Sequence, residues 1–324
     1  MKTTIKLTAA AAAAAATLAL APTARAQDFP QRPVTVVVPY AAGGATDVRA
    51  RVVAEEMSRQ LGQNVLVDNR SGGATLIGIQ SVLQAPADGY TVIFHATPIA
   101  LLPLTHADPG YAFEDFALIA PVGVAPHVLA VNPDTPGDTL EELVEYARAN
   151  PGALNAGSLG GGGTSHLLTE RFMDAAGIEL TEVRYTGAGP ALAAVMSGEI
   201  DLFMDSLSTS VPAAAEGRVK LLGVTSAERV ESAPDIPTFA EHGFDTAVGG
   251  TWMAMFVRAD TPEDIRMTLR EAAVAAVRSD AVRDRIGVLG FELWSGTAEE
   301  FDAFMRNDYD LWEADIRRIG LTPQ

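Results

Sequence analysis

The chain has no cysteine among its 324 residues, so disulfides are excluded and stability must come from an ordinary core. Basic residues are scarce, 23 Lys+Arg against 41 Asp+Glu, a formal net charge of −18. Such a chain is a poor partner for nucleic acid or an anionic lipid surface. Beyond its first residues it has no apolar run long enough to cross a membrane. Three glycine-rich turns carry no Lys or Arg, and no Lys follows the longest glycine run, which excludes a phosphate-binding P-loop. A G-x-S-x-G elbow is also missing, because Leu167 stands two residues after Ser165. The five histidines (His95, His106, His127, His166, His242) show no close ligand spacing. A transition-metal site is therefore not indicated, and no cofactor is called for.

What is present begins with a leader. Residues 1–6 are short and basic, 7–21 are apolar and alanine-rich, and Ala24-Arg25-Ala26 offers a small-x-small cleavage site before Gln27. No Cys follows the apolar run, which excludes a lipoprotein anchor. A signal peptide at 1–26, cleaved near Ala26, implies an exported protein. Its removal leaves 298 residues with 20 basic and 41 acidic side chains, a net −21. That length exceeds what one core usually serves, and 48% hydrophobic content suffices for two. The charge repels anions at long range, so an anionic ligand needs strong local compensation.

Strand and helix patterns alternate. Strands are expected at 34–38, 65–68 and 91–95, with helices at 46–61 and 75–84 between them. The apolar run 124–131 is long enough to leave one unit and enter another. Thr139-Leu140-Glu141-Glu142 reads as a capping box, with Leu140, Leu143, Tyr146 and Ala147 on one helical face. A second unit follows, with strands at 154–156, 182–185, 200–204 and 221–225, and helices at 165–176, 189–197 and 211–216. Gly249-Gly250 precedes a last strand at 251–257, and the remainder reads as helical, with Thr261 as N-cap and Pro262 at the first position. The expected fold is α/β: two α/β lobes joined by crossing strands, lobe I being 27–126 plus 250–324 and lobe II 127–249.

The glycine turns carry the chemistry. Val36-Val37-Val38-Pro39-Tyr40-Ala41-Ala42-Gly43-Gly44-Ala45-Thr46-Asp47, Gly157 to His166, and Tyr185-Thr186-Gly187-Ala188-Gly189-Pro190-Ala191 each run from strand through glycine into helix. Such turns direct unpaired backbone N–H groups and a helix dipole at one point and hold an anion without a charged side chain. Tight strand–helix turning alone is the competing account of the glycines. Four consecutive glycines at 160–163 cost entropy that a connector need not incur. Thr46 is a candidate cap, and Asp47 complements the dipole. Thr164 and Ser165 add hydroxyls, Tyr185 a ring wall, and Asp205 a carboxylate that faces the cleft or caps a turn. Ser165, His166 and Asp205 can be strung into a hydrolase triad, but adjacent Ser and His on one helical turn diverge.

Taken in order, these stretches resemble the solute receptors of tripartite tricarboxylate transporters, the Bordetella uptake gene family. The resemblance rests on Pro33 to Arg51, Val67-Asp68-Asn69-Arg70 with Gly72-Gly73, Ala87-Asp88-Gly89-Tyr90-Thr91, and Tyr146 to Gly152. Gly157 to Leu167, Tyr185 to Leu192, Gly198 to Leu202 and Pro234 to Gly243 continue it. Ala41-Ala42 replaces a proline-rich pair, Ser71 stands where Pro is common, and Thr97-Pro98-Ile99 occupies a loop that varies with ligand.

The resemblance implies a type II-like periplasmic binding fold. It further implies a monomer whose cleft traps a small carboxylate and passes it to a membrane permease of large and small subunits. The binding residues then expected are Tyr40, Gly43, Gly44, Ala45, Thr46, Asp47 and Thr97 from one lobe. Gly163, Thr164, Ser165, Tyr185, Gly187, Ala188 and Asp205 face them from the other, and no residue is catalytic. Competing readings are a receptor for an ABC permease or a sensory kinase, and an exported esterase using Ser165.

Overall fold

Val34–Val38 forms strand β1, and its four valines are fully buried. β-Branched side chains fit a pleated surface covered on both faces, which is where a parallel strand lies. The computed structural model describes residues 29–159, 163–185, 187–287 and 291–322. The leader at 1–26, Gly160, Gly161, Gly162 and Thr186 lie outside the described residues.

β1 pairs in parallel with β2 (Val65–Asn69) and β3 (Thr91–Ala96). Helices α1 (Ala45–Leu61), α2 (Leu76–Leu83) and α3 (Pro98–Thr105) follow these strands. The long strand β4 (Phe116–Val131) then leads to helix α4 (Leu140–Ala149). In the second lobe β5 (Asn155–Ser158) pairs in parallel with β6 (Thr181–Arg184) and β7 (Leu202–Ser206). They are followed by α5 (Thr164–Ala176), α6 (Ala188–Ser197) and α7 (Leu207–Ala215). After β8 (Lys220–Val224) and β9 (Gly250–Arg258) come α8 (Glu263–Val277), α9 (Asp280–Ile286), β10 (Glu292–Leu293) and α10 (Ala298–Arg318).

The strand order β2-β1-β3-β9-β4-β7-β5-β6 contains the same arrangement twice. β2-β1-β3 ends on antiparallel β9, and β6-β5-β7 ends on antiparallel β4. β4 belongs to both halves: residues 116–126 pair with β9 and 127–131 with β7. The result is a two-lobed α/β protein. The second crossing closes at Gly249, whose N–H donates to Thr225 O at 2.8 Å.

Each lobe has a core on both faces of its sheet. Val36, Met57, Met255 and Leu269 pack one face of the first lobe, and Ile93, Trp252 and Phe256 the other. Leu129, Phe172 and Met204 centre the second. Helix α10 contributes Phe301 and Met305 to the first lobe, then Trp312 and Ile316 to the second.

Several local expectations need correction. β4 starts at Phe116, not at 124; Pro121 lies at register shifts at 118–120 and 121–123, and Pro126 ends the pairing with β9. Bulges are where a strand tolerates proline. Thr97-Pro98-Ile99 opens a helix, with Pro98 in its first turn, where the missing N–H is harmless. Thr46 does not cap α1, whose N-cap is Gly44, and α8 starts from Pro262 without a hydroxyl cap from Thr261.

Candidate functional site

In both lobes the parallel strands point their carboxyl ends toward the loops singled out above, the usual place for a ligand in such sheets. Among the described residues, the helices that follow strands there (α1, α3, α5, α6 and α7) lack a side-chain N-cap. Elsewhere α4, α9 and α10 are capped by Thr139, Ser279 and Thr297, while α8 is uncapped as well. A capping oxygen satisfies N–H groups that would otherwise seek an acceptor. Its absence at one end of both lobes leaves donors and dipoles directed at an incoming anion.

In the first lobe, Gly43 adopts φ +82°, a conformation that favours glycine. Its N–H donates to Asp47 Oδ2 at 2.7 Å. Asp47 also accepts from Asn69 Nδ2 (2.9 Å) and pairs with Arg51. Burial raises its pKa, but Arg51, the Gly43 N–H and Asn69 together outweigh that and hold it below the ordinary value. Asp47 is thus a buried brace for the turn. Gly44 is different: φ is −73°, ψ 166°, and an added Cβ reaches nothing nearer than Ala41 O at 3.4 Å. Neither backbone nor packing requires glycine there. Ala45 is exposed beside it, while Thr46 is buried.

Thr97 has no exposed surface, and its hydroxyl accepts the Trp252 N–H at 3.0 Å. It braces a corner and does not form a cleft wall.

In the second lobe, Gly163 is exposed and extended at the N-cap of α5, and Thr164 and Ser165 are each 8% exposed. The Ser165 hydroxyl donates to Met204 O at 2.5 Å, tying α5 to β7. Only its backbone N–H remains for a ligand, and its hydroxyl does not face His166 as a triad would require. His166 Nε2 instead lies 3.8 Å from Glu170 and from Glu182. Asp205 accepts hydroxyl bonds from Thr209 (2.6 Å) and Ser210 (2.7 Å). These bonds tie it to the start of α7, closer to the second of its two expected roles than to a free carboxylate in the cleft. Tyr185 extends the β5 ladder and gives its phenol proton to Glu199 at 3.0 Å. Gly187 is fully extended, and a Cβ there finds no atom nearer than 3.9 Å. Ala188 follows at the start of α6.

One cluster escaped sequence reasoning. The Tyr40 hydroxyl lies 3.3 Å from His95 Nδ1, and His95 Nε2 lies 3.2 Å from Thr75 Oγ1. Burial lowers the His95 pKa to about 3, so the ring is neutral. Thr75 has φ +81°, uncommon for a β-branched residue, and follows Ala74 at +50°. The Gly72-Gly73 pair just before them was the available signal.

A cavity of about 800 Å³ lies elsewhere, between 227–232 and a wall of Arg283, Asp284, Gly287 and residues 291–295. Glu228, Glu231, Asp284 and Glu292 line it, while Arg229 is paired with Glu241 and Arg283 with Asp280. Burial, and Glu228 nearby, raise the Glu292 pKa. That wall is hostile to an anion, so size does not make it the binding site.

Two α/β lobes joined by crossing strands are the architecture of a two-lobed periplasmic binding protein. Residues 49–321 match the family described as "Tripartite tricarboxylate transporter family receptor", and the chain belongs to that receptor family. It is 30% identical over 307 residues to protein BugT of Bordetella pertussis, covering 94% of both chains. A TctC solute binding protein from Polaromonas superposes with a TM-score of 0.79 at 30% identity, over 90% of this chain and 99% of that one. R. palustris Rpa4515 with adipate gives 0.75 at 32% identity, over 92% and 100%. MatC from Rhodopseudomonas palustris with bound malate gives 0.70 at 30%, over 89% and 100%. No helix among the described residues is long and apolar enough to cross a membrane.

Proposed function

We propose that this chain is a periplasmic receptor that captures a small carboxylate (di-, tri- or aromatic) between its lobes. It delivers the ligand unaltered to a two-subunit membrane permease. The lobes are 27–126 with 250–324, and 127–249, with α10 strapped across both. One carboxylate group meets the N–H groups of residues 44–46 from the first lobe and of 163–165 and 187–188 from the second. Tyr40 and Tyr185 supply neutral walls.

The observation that carries this reading is the glycine at 44. Its backbone is ordinary and a Cβ there would touch only Ala41 O, at 3.4 Å, so the missing side chain is accounted for by close approach of a ligand. Adipate and malate in related receptors support the carboxylate class.

A thermal-shift panel of mono-, di-, tri- and aromatic carboxylates, followed by calorimetry on hits, tests it. A bound carboxylate raises the melting temperature by mass action. Arg70→Ala is the control, because Arg70 pairs with Asp68 at the surface. It should leave the affinity of any hit unchanged. Loss of binding in that variant would mean a guanidinium holds the anion.

A further inference from the structure

One buried cluster of charge is used by no binding residue. Arg171 lies two turns along α5, the helix whose first turn carries Thr164 and Ser165, and is 3% exposed. Its Nε donates to Asp315 Oδ2 at 2.5 Å, and its guanidinium lies 3.6 Å from the centroid of the Trp312 ring. Asp308 Oδ1 is 3.6 Å from its Nη1. Oδ2 of Asp308 accepts two indole N–H bonds, from Trp312 at 2.7 Å and from Trp252 at 3.1 Å. Trp252 belongs to the crossing strand β9, and its backbone exchanges two bonds with Thr97. A Cβ at Gly249 would lie 3.5 Å from Arg171 Nη1, so the crossing point itself abuts the guanidinium. An unbroken chain of contacts therefore runs from the binding helix of the second lobe, through α10, to the crossing strand and a corner of the first.

Stability alone explains this cluster poorly. Removing such ions from water is costly, and apolar packing of the same volume often serves stability as well. Both terminal nitrogens of Arg171 are buried without a hydrogen-bond partner among the described residues, so the guanidinium is not placed for maximal bonding. What a buried charge network does provide is a restricted geometry. The two carboxylates sit on α10 at positions 308 and 315, two helical turns apart, and so fix α5 in both height and rotation.

We propose that Arg171 is a positioning residue. Through Asp308 and Asp315 it fixes the binding helix against α10, and α10 thereby sets the angle between the lobes. This rests on the receptor reading only where affinity is concerned.

The test uses Asp308→Asn, Trp252→Phe and the apolar pair Arg171→Met with Asp308→Leu. Ligand-free radius of gyration by small-angle scattering, melting temperature, and affinity for adipate, malate and citrate are measured. The pair should fold cooperatively yet shift the ligand-free radius of gyration. It should also weaken tenfold or more whichever probe the wild type binds. Trp252→Phe keeps an aromatic side chain of smaller size and removes one indole N–H while both charges stay, so its shift should be smaller in the same direction; it carries the test if the other variants do not fold. Unchanged scattering and affinity, with only the melting temperature moved, would overturn the proposal. If the wild type binds none of the probes, the receptor reading is what suffers, and the ligand-free scattering still decides the positioning role.

Discussion

At the residue scale, neighbouring glycines 43 and 44 do different work. Gly43 needs its positive φ, and its N–H belongs to Asp47. Gly44 needs neither special backbone nor extra room. Gly43→Ala should therefore destabilise by about 1 kcal/mol, the usual cost of the left-handed region for an L-residue, while a folded fraction still binds. Gly44→Val should melt close to the wild type and lose carboxylate affinity by tenfold or more, because its side chain occupies the approach to the helix end. Calorimetry paired with thermal melts separates the two outcomes. Equal affinity loss in both, tracking the loss of stability, would mean that the turn only holds the fold.

At the element scale, sequence legibility followed locality. Helix Leu140–Ala149 was readable from Thr139, which accepts Glu142 N–H at 3.3 Å, and from its buried Leu140, Leu143 and Ala147. Strand β4 was only half readable, because Pro121 and Pro126 look like breaks until bulges and β9 absorb them. Helix Pro98–Thr105 carries two prolines and no amphipathic stripe, so nothing local marked it. The turns proposed for the site were visible as glycine patterns. The engagement of Ser165, Thr97 and Asp205 elsewhere was not, since it depends on partners brought together by folding. Arg171 bonds a residue 144 positions away, which no window of sequence contains.

Two strands also carry a pH response. His95 on β3 and His127 on β4 are buried, and burial lowers their pKa values from the ordinary 6.5 to about 3 and about 4. The unfolded chain therefore takes up protons first. Stability is full above pH 6.5 and falls as the pH drops toward those folded values. The slope is about 1.4 kcal/mol per pH unit for each histidine. Asp308 acts oppositely, since burial raises its pKa to about 6 against the pull of Arg171 and both indoles. Comparing wild type with His127→Gln in urea unfolding between pH 7.5 and 4.5 cancels that term. The variant should lose less stability on acidification; parallel curves would show that His127 does not titrate differently in the two states.

At the scale of the whole molecule, charge and site oppose each other. A formal charge of −18 surrounds a cleft proposed to take anions. On the proposed reading the compensation is local and comes from backbone dipoles at uncapped helix ends. Arg51 and Arg70 in the first lobe and Arg184 in the second are each paired with a carboxylate. The long-range field should therefore slow the arrival of a carboxylate, and salt should relieve it. Screening shortens the reach of charge from about 30 Å at 0.01 M to about 8 Å at 0.15 M. Over that range the association rate should rise, whereas the dissociation rate, set by short hydrogen bonds inside the cleft, should change little. Stopped-flow binding, followed by tryptophan emission with Trp252 and Trp312 beside the crossing strands, measures both rates. An association rate that falls with added salt would show that a local cationic funnel steers the ligand, and that dipoles alone do not account for capture.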